Sequence, residues 1–324
     1  MTAAGPQARR DAEAPPPAGA GATPHPARGR WLILAATLFW GVSATLARHL
    51  FRDLHLPALV VVEMRLAIAA ALLLPWLALR RPERLRVGGR RLAELVVLGV
   101  LGVAAVQGSY YYAVSTLGVG LAILLQYIAP ALVLIYSALR GERVGAIAVL
   151  AVIAALAGTV LLVGNVDATA ISVGPMPWIA GFGSAFIFAY YIIASKSALR
   201  RNAPETVLAY TFAVAAVFWS FAVPPWRIAA AHYGLRVWLL FLALGVTSTL
   251  VPFGLFYSGL RSLNAQQAGV LATAEPLIAV LSAWLLLGEG LRPIQWLGAA
   301  LVLVAATLAA TRASEPVAAP AYPA

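Results

Sequence analysis

Long apolar runs broken by short polar stretches fill almost the whole chain. A hydrocarbon layer about 30 Å thick takes roughly 20 mostly apolar helical residues to cross. Runs of that kind predict spans at residues 31–48, 57–79, 92–113, 118–139, 144–164, 176–195, 204–223, 236–258, 264–288 and 293–311. Backbone groups in lipid must be satisfied within each helix, and the short connections force neighbouring helices to run antiparallel. The pattern therefore predicts an all-α integral membrane protein, with ten transmembrane helices in one compact bundle and no separate soluble domain. Residues 1–30 hold six prolines among many Ala and Gly. Such a segment cannot supply a packed core and is expected to be a disordered cytoplasmic tail, with residues 312–324 a second, shorter one. The first apolar run follows this long tail rather than a short charged leader, which favours a retained span over a cleaved signal peptide.

Composition supports the membrane reading. Of 324 residues, 62% are hydrophobic and 11% charged, against about 25% charged in a soluble domain. A net charge of +11 raises the question of nucleic acid, but the basic residues sit between apolar spans rather than on a folded soluble face, so no nucleic-acid partner is expected. The chain has no cysteine, which excludes disulfides and thiolate metal sites. Its four histidines, His25, His49, His55 and His232, lie in the tail or near span ends without ligand spacing. Neither a metal nor a cofactor is expected. Charge does set an orientation, because Lys and Arg near short loops stay in the cytoplasm. With the N-terminus inside, seventeen of the 23 basic residues fall on the cytoplasmic side and five on the other, while Arg65 lies within a span. Both termini are therefore expected in the cytoplasm.

The two halves resemble each other at a shift of 146 to 148 residues. Tyr110-Tyr111 matches Phe256-Tyr257, Leu117 matches Leu263 and Pro130 matches Pro276; Gly141-Glu142 matches Gly288-Glu289, and Trp40 and Arg48 match Phe188 and Lys196. A repeat of five helices is odd in number, so the second copy enters the membrane from the opposite side. Residues 31–164 and 176–311 are thus expected to be two inverted five-helix repeats, a recurring plan of secondary transporters with substrate held near the midplane.

At these positions the chain resembles the drug/metabolite transporter superfamily, in its ten-helix EamA-like branch. The resemblance covers residues 31 to 311. Its most specific segments are residues 117–142, LGVGLAILLQYIAPALVLIYSALRGE, and 263–289, LNAQQAGVLATAEPLIAVLSAWLLLGE, which look like the family's paired helix ending in Gly-Glu. Phe39-Trp40-Gly41 and Arg65 after Pro57 also look like family positions. One departure is visible: Pro130 to Gly141 is eleven residues and Pro276 to Gly288 is twelve, a rotation of about 100° at the helix end. The resemblance implies export or exchange of small metabolites, often amino acids or related polar compounds, across a bacterial-type inner membrane. The partners it implies are a small-molecule metabolite and the lipid bilayer.

Several residues within the spans are candidates for contact with such a substrate. Pro130 and Pro276 each remove a backbone donor and leave carbonyls in need of a partner, and interrupted helices at equivalent places in two halves point to a transporter's binding site; packing kinks are the alternative. Glu63, Arg65 and Glu275 are the ionisable groups deepest in the spans, each costing roughly 2.5 to 3.5 kcal/mol if charged at the bilayer centre. Glu63 and Arg65 lie two apart and so on nearly opposite helix faces. Arg65 or Glu275 is expected to face an aqueous cavity, with Glu275 one candidate partner for Arg65; Glu275 and Glu63 are candidates for proton coupling, and a static ion pair or a protonated glutamate bonded to backbone is the alternative. Trp40, Tyr111, Gln126, Tyr190 and Tyr257 add rings and amides with polar ends, the usual lining of a largely apolar pocket.

No phosphate-binding loop is present, since the single lysine, Lys196, follows Ala194-Ser195. The strings around Ser43 and Ser184 do not match a nucleophile elbow. A membrane enzyme acting on a lipid or prenyl chain is the alternative function, but it needs a cluster of acids or histidines at one interface, which the sequence lacks. Ala151, Ala154, Ala155 and Gly158 form a small-residue stripe suited to close helix packing, either within the chain or in a homodimer.

Overall fold

The computed structural model describes residues 25–142, 144–163, 173–287 and 290–311, and these form helices and turns with no strand. The helices are α1 (Pro26–Arg52), α2 (Ala58–Arg80), α3 (Gly89–Leu117), α4 (Val119–Gln126), α5 (Ala129–Leu139) and α6 (Ala146–Val163), followed in the second half by α7 (Pro175–Leu199), α8 (Pro204–Ser220), the short α9 (Pro225–Ala230), α10 (Leu235–Leu260), α11 (Ala265–Ala272), α12 (Ala274–Leu287) and α13 (Pro293–Thr311). Helix α1 starts at Pro26, about a turn before the expected span, because Pro suits the first helical position.

Among the described residues eight segments are long and apolar enough to cross a membrane: α1, α2, α3, the α4–α5 pair, α6, α7, α10 and α13. The other two expected spans take shorter form. Helix α8 has 17 residues, about 25 Å of rise, slightly less than a hydrocarbon core. The expected span at 264–288 divides at Thr273 into α11 and α12, and the one at 118–139 divides at Tyr127-Ile128.

Helix ends follow local chemistry. Gly118 closes α3 at φ +83° and Gly141 follows α5 at φ +75°, backbone that glycine adopts without a Cβ penalty. The amides of Gly141 and Glu142 then donate to Ala138 O and Ser137 O, both at 3.0 Å. The equivalent Gly288 and Glu289 lie outside the described residues. Helix α11 opens with a capping box: Asn264 Oδ1 accepts from the Gln267 amide at 2.8 Å, and Gln267 Oε1 from the Asn264 amide at 3.3 Å.

Packing relates the halves reciprocally. Helix α1 lies against α10 and α12, and its counterpart α7 lies against α3 and the α4–α5 pair. The second helices α2 and α8 pack together, as do the fifth helices α6 and α13. Along that last seam a Cβ on Gly158 would stand 2.8 Å from Gly298 O, and one on Gly298 2.8 Å from Gly158 O. The buried Ala151 and Ala155 belong to the same helix, so much of the small-residue stripe serves packing within one chain.

Candidate functional site

Among the described residues two helices contain a π-helical stretch, Leu98–Ala104 within α3 and Gly245–Leu250 within α10, ending 146 residues apart. A π turn spoils the regular i−4 ladder and turns backbone carbonyls towards a neighbour. In α10 that neighbour is α2. Arg65 donates from Nη2 to Ser248 O and from Nε to Thr249 Oγ1, both at 2.8 Å. Its guanidinium carbon stands 4.4 Å from the centre of the Tyr111 ring, a cation–π contact. The side chain is 2% exposed, Nη1 has no hydrogen-bond partner in the protein, and among the described residues Arg65 forms no ion pair. In α3 a carbonyl two residues beyond the equivalent place, Ala104 O, accepts instead from Trp219 Nε1 of α8 at 3.1 Å.

The broken fourth helices supply the second part. Pro130 cannot donate to the carbonyl of Gln126, nor Pro276 to that of Ala272, and each helix breaks just before its proline. At the first break Tyr127 turns across to the other half, and its hydroxyl donates to Glu275 Oε2 at 2.7 Å. Both groups are buried.

Between these parts lies a cavity with about 630 Å³ of space not filled by protein atoms, part of it open to solvent. Trp40, Tyr110, Tyr111, Phe188 and Phe253 form aromatic walls, and Arg65, Gln107, Gln126, Ser248 and Glu275 supply polar groups. The lining runs along α1 from Trp40 to Ala47 and reaches Val114 and Val119 at the α3–α4 corner, so the cavity extends towards the end of the bundle away from the start of α1. Towards the other end it is backed by rings. Phe188 stacks on Tyr191 at 5.9 Å, and Tyr191 stacks on Phe256 at 6.2 Å and on Tyr257 at 5.8 Å. Beyond them Lys196 Nζ donates to Leu260 O at 2.7 Å and Arg261 O at 3.0 Å. There α1 and α10 approach so closely that a Cβ on Gly259 would stand 2.6 Å from Gly29 O.

Of the residues singled out from sequence, Trp40, Arg65, Tyr111, Gln126 and Glu275 line this one cavity. Pro130 and Pro276 are buried and shape the breaks without lining it. Two expectations are corrected. Tyr190 is 36% exposed on the outer face of α7, because its neighbour Tyr191 takes the inward position. Tyr257 is fully buried in the ring stack, where its hydroxyl accepts from Ser195 Oγ at 3.2 Å. Glu63 is 4% exposed, lies outside the cavity lining, and its Oε2 has no hydrogen-bond partner. The ion pair considered between Arg65 and Glu275 is not formed; the arginine goes to the π segment and the glutamate to Tyr127. Sequence reasoning missed Gln107, Ser248 and Thr249. The run Thr247-Ser248-Thr249 inside an apolar span was the available signal for the last two, whereas a lone Gln107 carried none.

A multi-pass helical bundle with an arginine and a glutamate buried around a cavity between equivalent halves defines a membrane transporter. The chain belongs to the EamA-like transporter family, which it matches over residues 27–164 and 176–311. It is 30% identical over 284 residues to an uncharacterized transporter of Archaeoglobus fulgidus, covering 87% of this chain and 96% of that one. To the threonine/homoserine exporter RhtA of Escherichia coli strain K12 it is 28% identical over 284 residues, 85% of this chain and 88% of the relative. The uncharacterized inner membrane transporter YicL of Salmonella typhimurium is 25% identical over 287 residues, 85% of this chain and 93% of its own. A solved crystal structure superposes with a TM-score of 0.73 over 89% of this chain and 99% of its own, at 22% identity, a likeness of fold. The family and these relatives are transporters, not enzymes.

Proposed function

We propose that this chain is a secondary exporter of amino acids or closely related small polar metabolites, working by alternating access at the cavity between its halves. In this reading the shorter α8 and the α11–α12 pair also cross the bilayer. They complete ten spans arranged as two inverted five-helix repeats in an inner membrane, with both termini cytoplasmic. The observation that carries the reading is the cavity itself. Arg65 comes from the first half and Glu275 from the second, opposite charges suited to the two ends of a zwitterion, and both lie within spans where an unmatched charge costs several kcal/mol. The threonine/homoserine exporters among the relatives agree with such a substrate, and the reciprocal packing of the halves suits a rocking exchange around a fixed site. With the basic residues inside, the cavity reaches towards the external face, while the ring stack and Lys196 close the cytoplasmic one. Glu275 is the group best placed to carry a coupling proton, because among the described residues it is the one acid that lines the cavity.

The test is the purified full chain in liposomes, assayed for counterflow of radiolabelled amino acids with and without an imposed pH gradient. Exchange of at least one amino acid is expected. Its absence across all twenty, in protein shown to be folded and inserted, would remove the substrate reading. A reporter fusion putting the Arg80 to Arg91 segment and the Arg200 region on different sides of the membrane would remove the inverted topology.

A further inference from the structure

Three buried polar donors of cavity-lining residues have no partner in the protein. Arg65 Nη1, Gln107 Nε2 and Ser248 Oγ are each without a hydrogen bond, their residues are 2%, 4% and 1% exposed, and all three residues line the same cavity. A buried donor left unmade costs about 1–3 kcal/mol, and more when charged. Three such donors on residues that line one cavity suit an acceptor brought from outside the protein. Arginine also brings a full positive charge. Its other nitrogens are spent on a carbonyl and a hydroxyl, both neutral, and among the described residues it has no ion pair. The charge therefore awaits an anion from outside the protein. The guanidinium is held at two of its nitrogens by the π segment and from one face by the Tyr111 ring, so it is set in position before that anion arrives.

We propose that Arg65 Nη1, Gln107 Nε2 and Ser248 Oγ form a carboxylate-binding corner, so that the substrate docks with its α-carboxylate here and its ammonium towards Glu275. This assignment rests on the transporter reading above and adds to it the polarity of the bound substrate and two residues, Gln107 and Ser248, that read its free carboxylate. A monoanion is the matching charge. Among the described residues Arg65 is the one cationic side chain on the cavity wall, and Glu275 on the same wall repels a phosphate dianion.

The experiment uses the full chain in liposomes, with L-threonine as first probe and the other proteinogenic amino acids after it. Each exchanged amino acid is competed with its α-methyl ester, its α-amide and the amine lacking the carboxylate. The acid is expected to compete at least tenfold better than any of these. Gln107→Leu and Ser248→Ala are each expected to raise the half-saturating concentration of the acid about tenfold while leaving that of the weakly bound amide within twofold, since a bond to a charged acceptor is then lost only for the acid. Gln107→Glu sets a second carboxylate against the bound one and is expected to weaken the acid further, in protein whose gel-filtration profile matches the parent. Equal competition by ester and acid, or unchanged half-saturation in all three variants, would overturn the corner while leaving amino-acid transport standing. Exchange of L-lactate but of no amino acid would uphold the corner and overturn the zwitterion, and exchange of inorganic phosphate in place of any monocarboxylate would overturn the corner.

Discussion

Arg65 and Thr211 stand at equivalent points on the second helix of each half, 146 residues apart, and face opposite fates. Thr211 Oγ1 donates back to Val207 O of its own helix at 2.8 Å. Arg65 reaches across to the π segment of the other half. Each π segment receives a side chain from the second helix opposite, but one receives a guanidinium and the other the indole of Trp219. The same divergence runs through the site: Gln107 corresponds to Phe253, Ser248 to Gly102 and Glu275 to Ala129. Tyr111 and Tyr257 keep the ring but differ in use, one beneath a cation and the other inside an aromatic stack. The two halves therefore share backbone irregularities and differ in the side chains placed upon them. A twofold plan thus yields an asymmetric polar cavity.

Removing Arg65 should break this comparison most sharply. Arg65→Gln is expected to lower transport kcat/KM by about 100-fold or more, since it removes a charge and its charged hydrogen bonds at about 1.5–3 kcal/mol each, whereas Thr211→Val should change it less than about twofold. Parallel initial-rate measurements in liposomes check the pair. Glu275→Gln keeps an acceptor for Tyr127 but cannot take up or release a proton. It should abolish the part of the flux that responds to an imposed pH gradient, with counterflow at equal pH retained; an unaltered gradient response removes the proton role.

The seam that joins the halves is the next point of attack. Gly298→Ala sets a methyl 2.8 Å from Gly158 O, and overpacking of this kind should cost about 1–3 kcal/mol, read as a lower unfolding midpoint in detergent. Trp219→Phe deletes the bond to Ala104 O and should cost about 0.5–1.5 kcal/mol in the same assay, with half-saturating substrate unchanged because Trp219 does not line the cavity. The smallest effect belongs to Tyr190→Phe. Its outward-facing ring should leave stability within about 0.5 kcal/mol and transport at the parental rate.

Much of the architecture was legible in the chain. Span length follows from hydrocarbon thickness, and a repeat of matched prolines, tyrosines and Gly-Glu pairs survives as a pattern of letters. Both locate the helices and name Arg65 and Glu275 as unusual, because a charge within a long apolar run is conspicuous without any structure. Tertiary structure decided which way each side chain turned. Period alone could not separate Tyr190 from Tyr191, since adjacent residues on a helix point about 100° apart and only packing says which faces inward. Nor could it show the π segments, each of which packs against the second helix of the other half. Those segments turn Ser248 and Thr249 from ordinary polar residues of an apolar run into the seat of Arg65, through a backbone carbonyl that no sequence pattern displays.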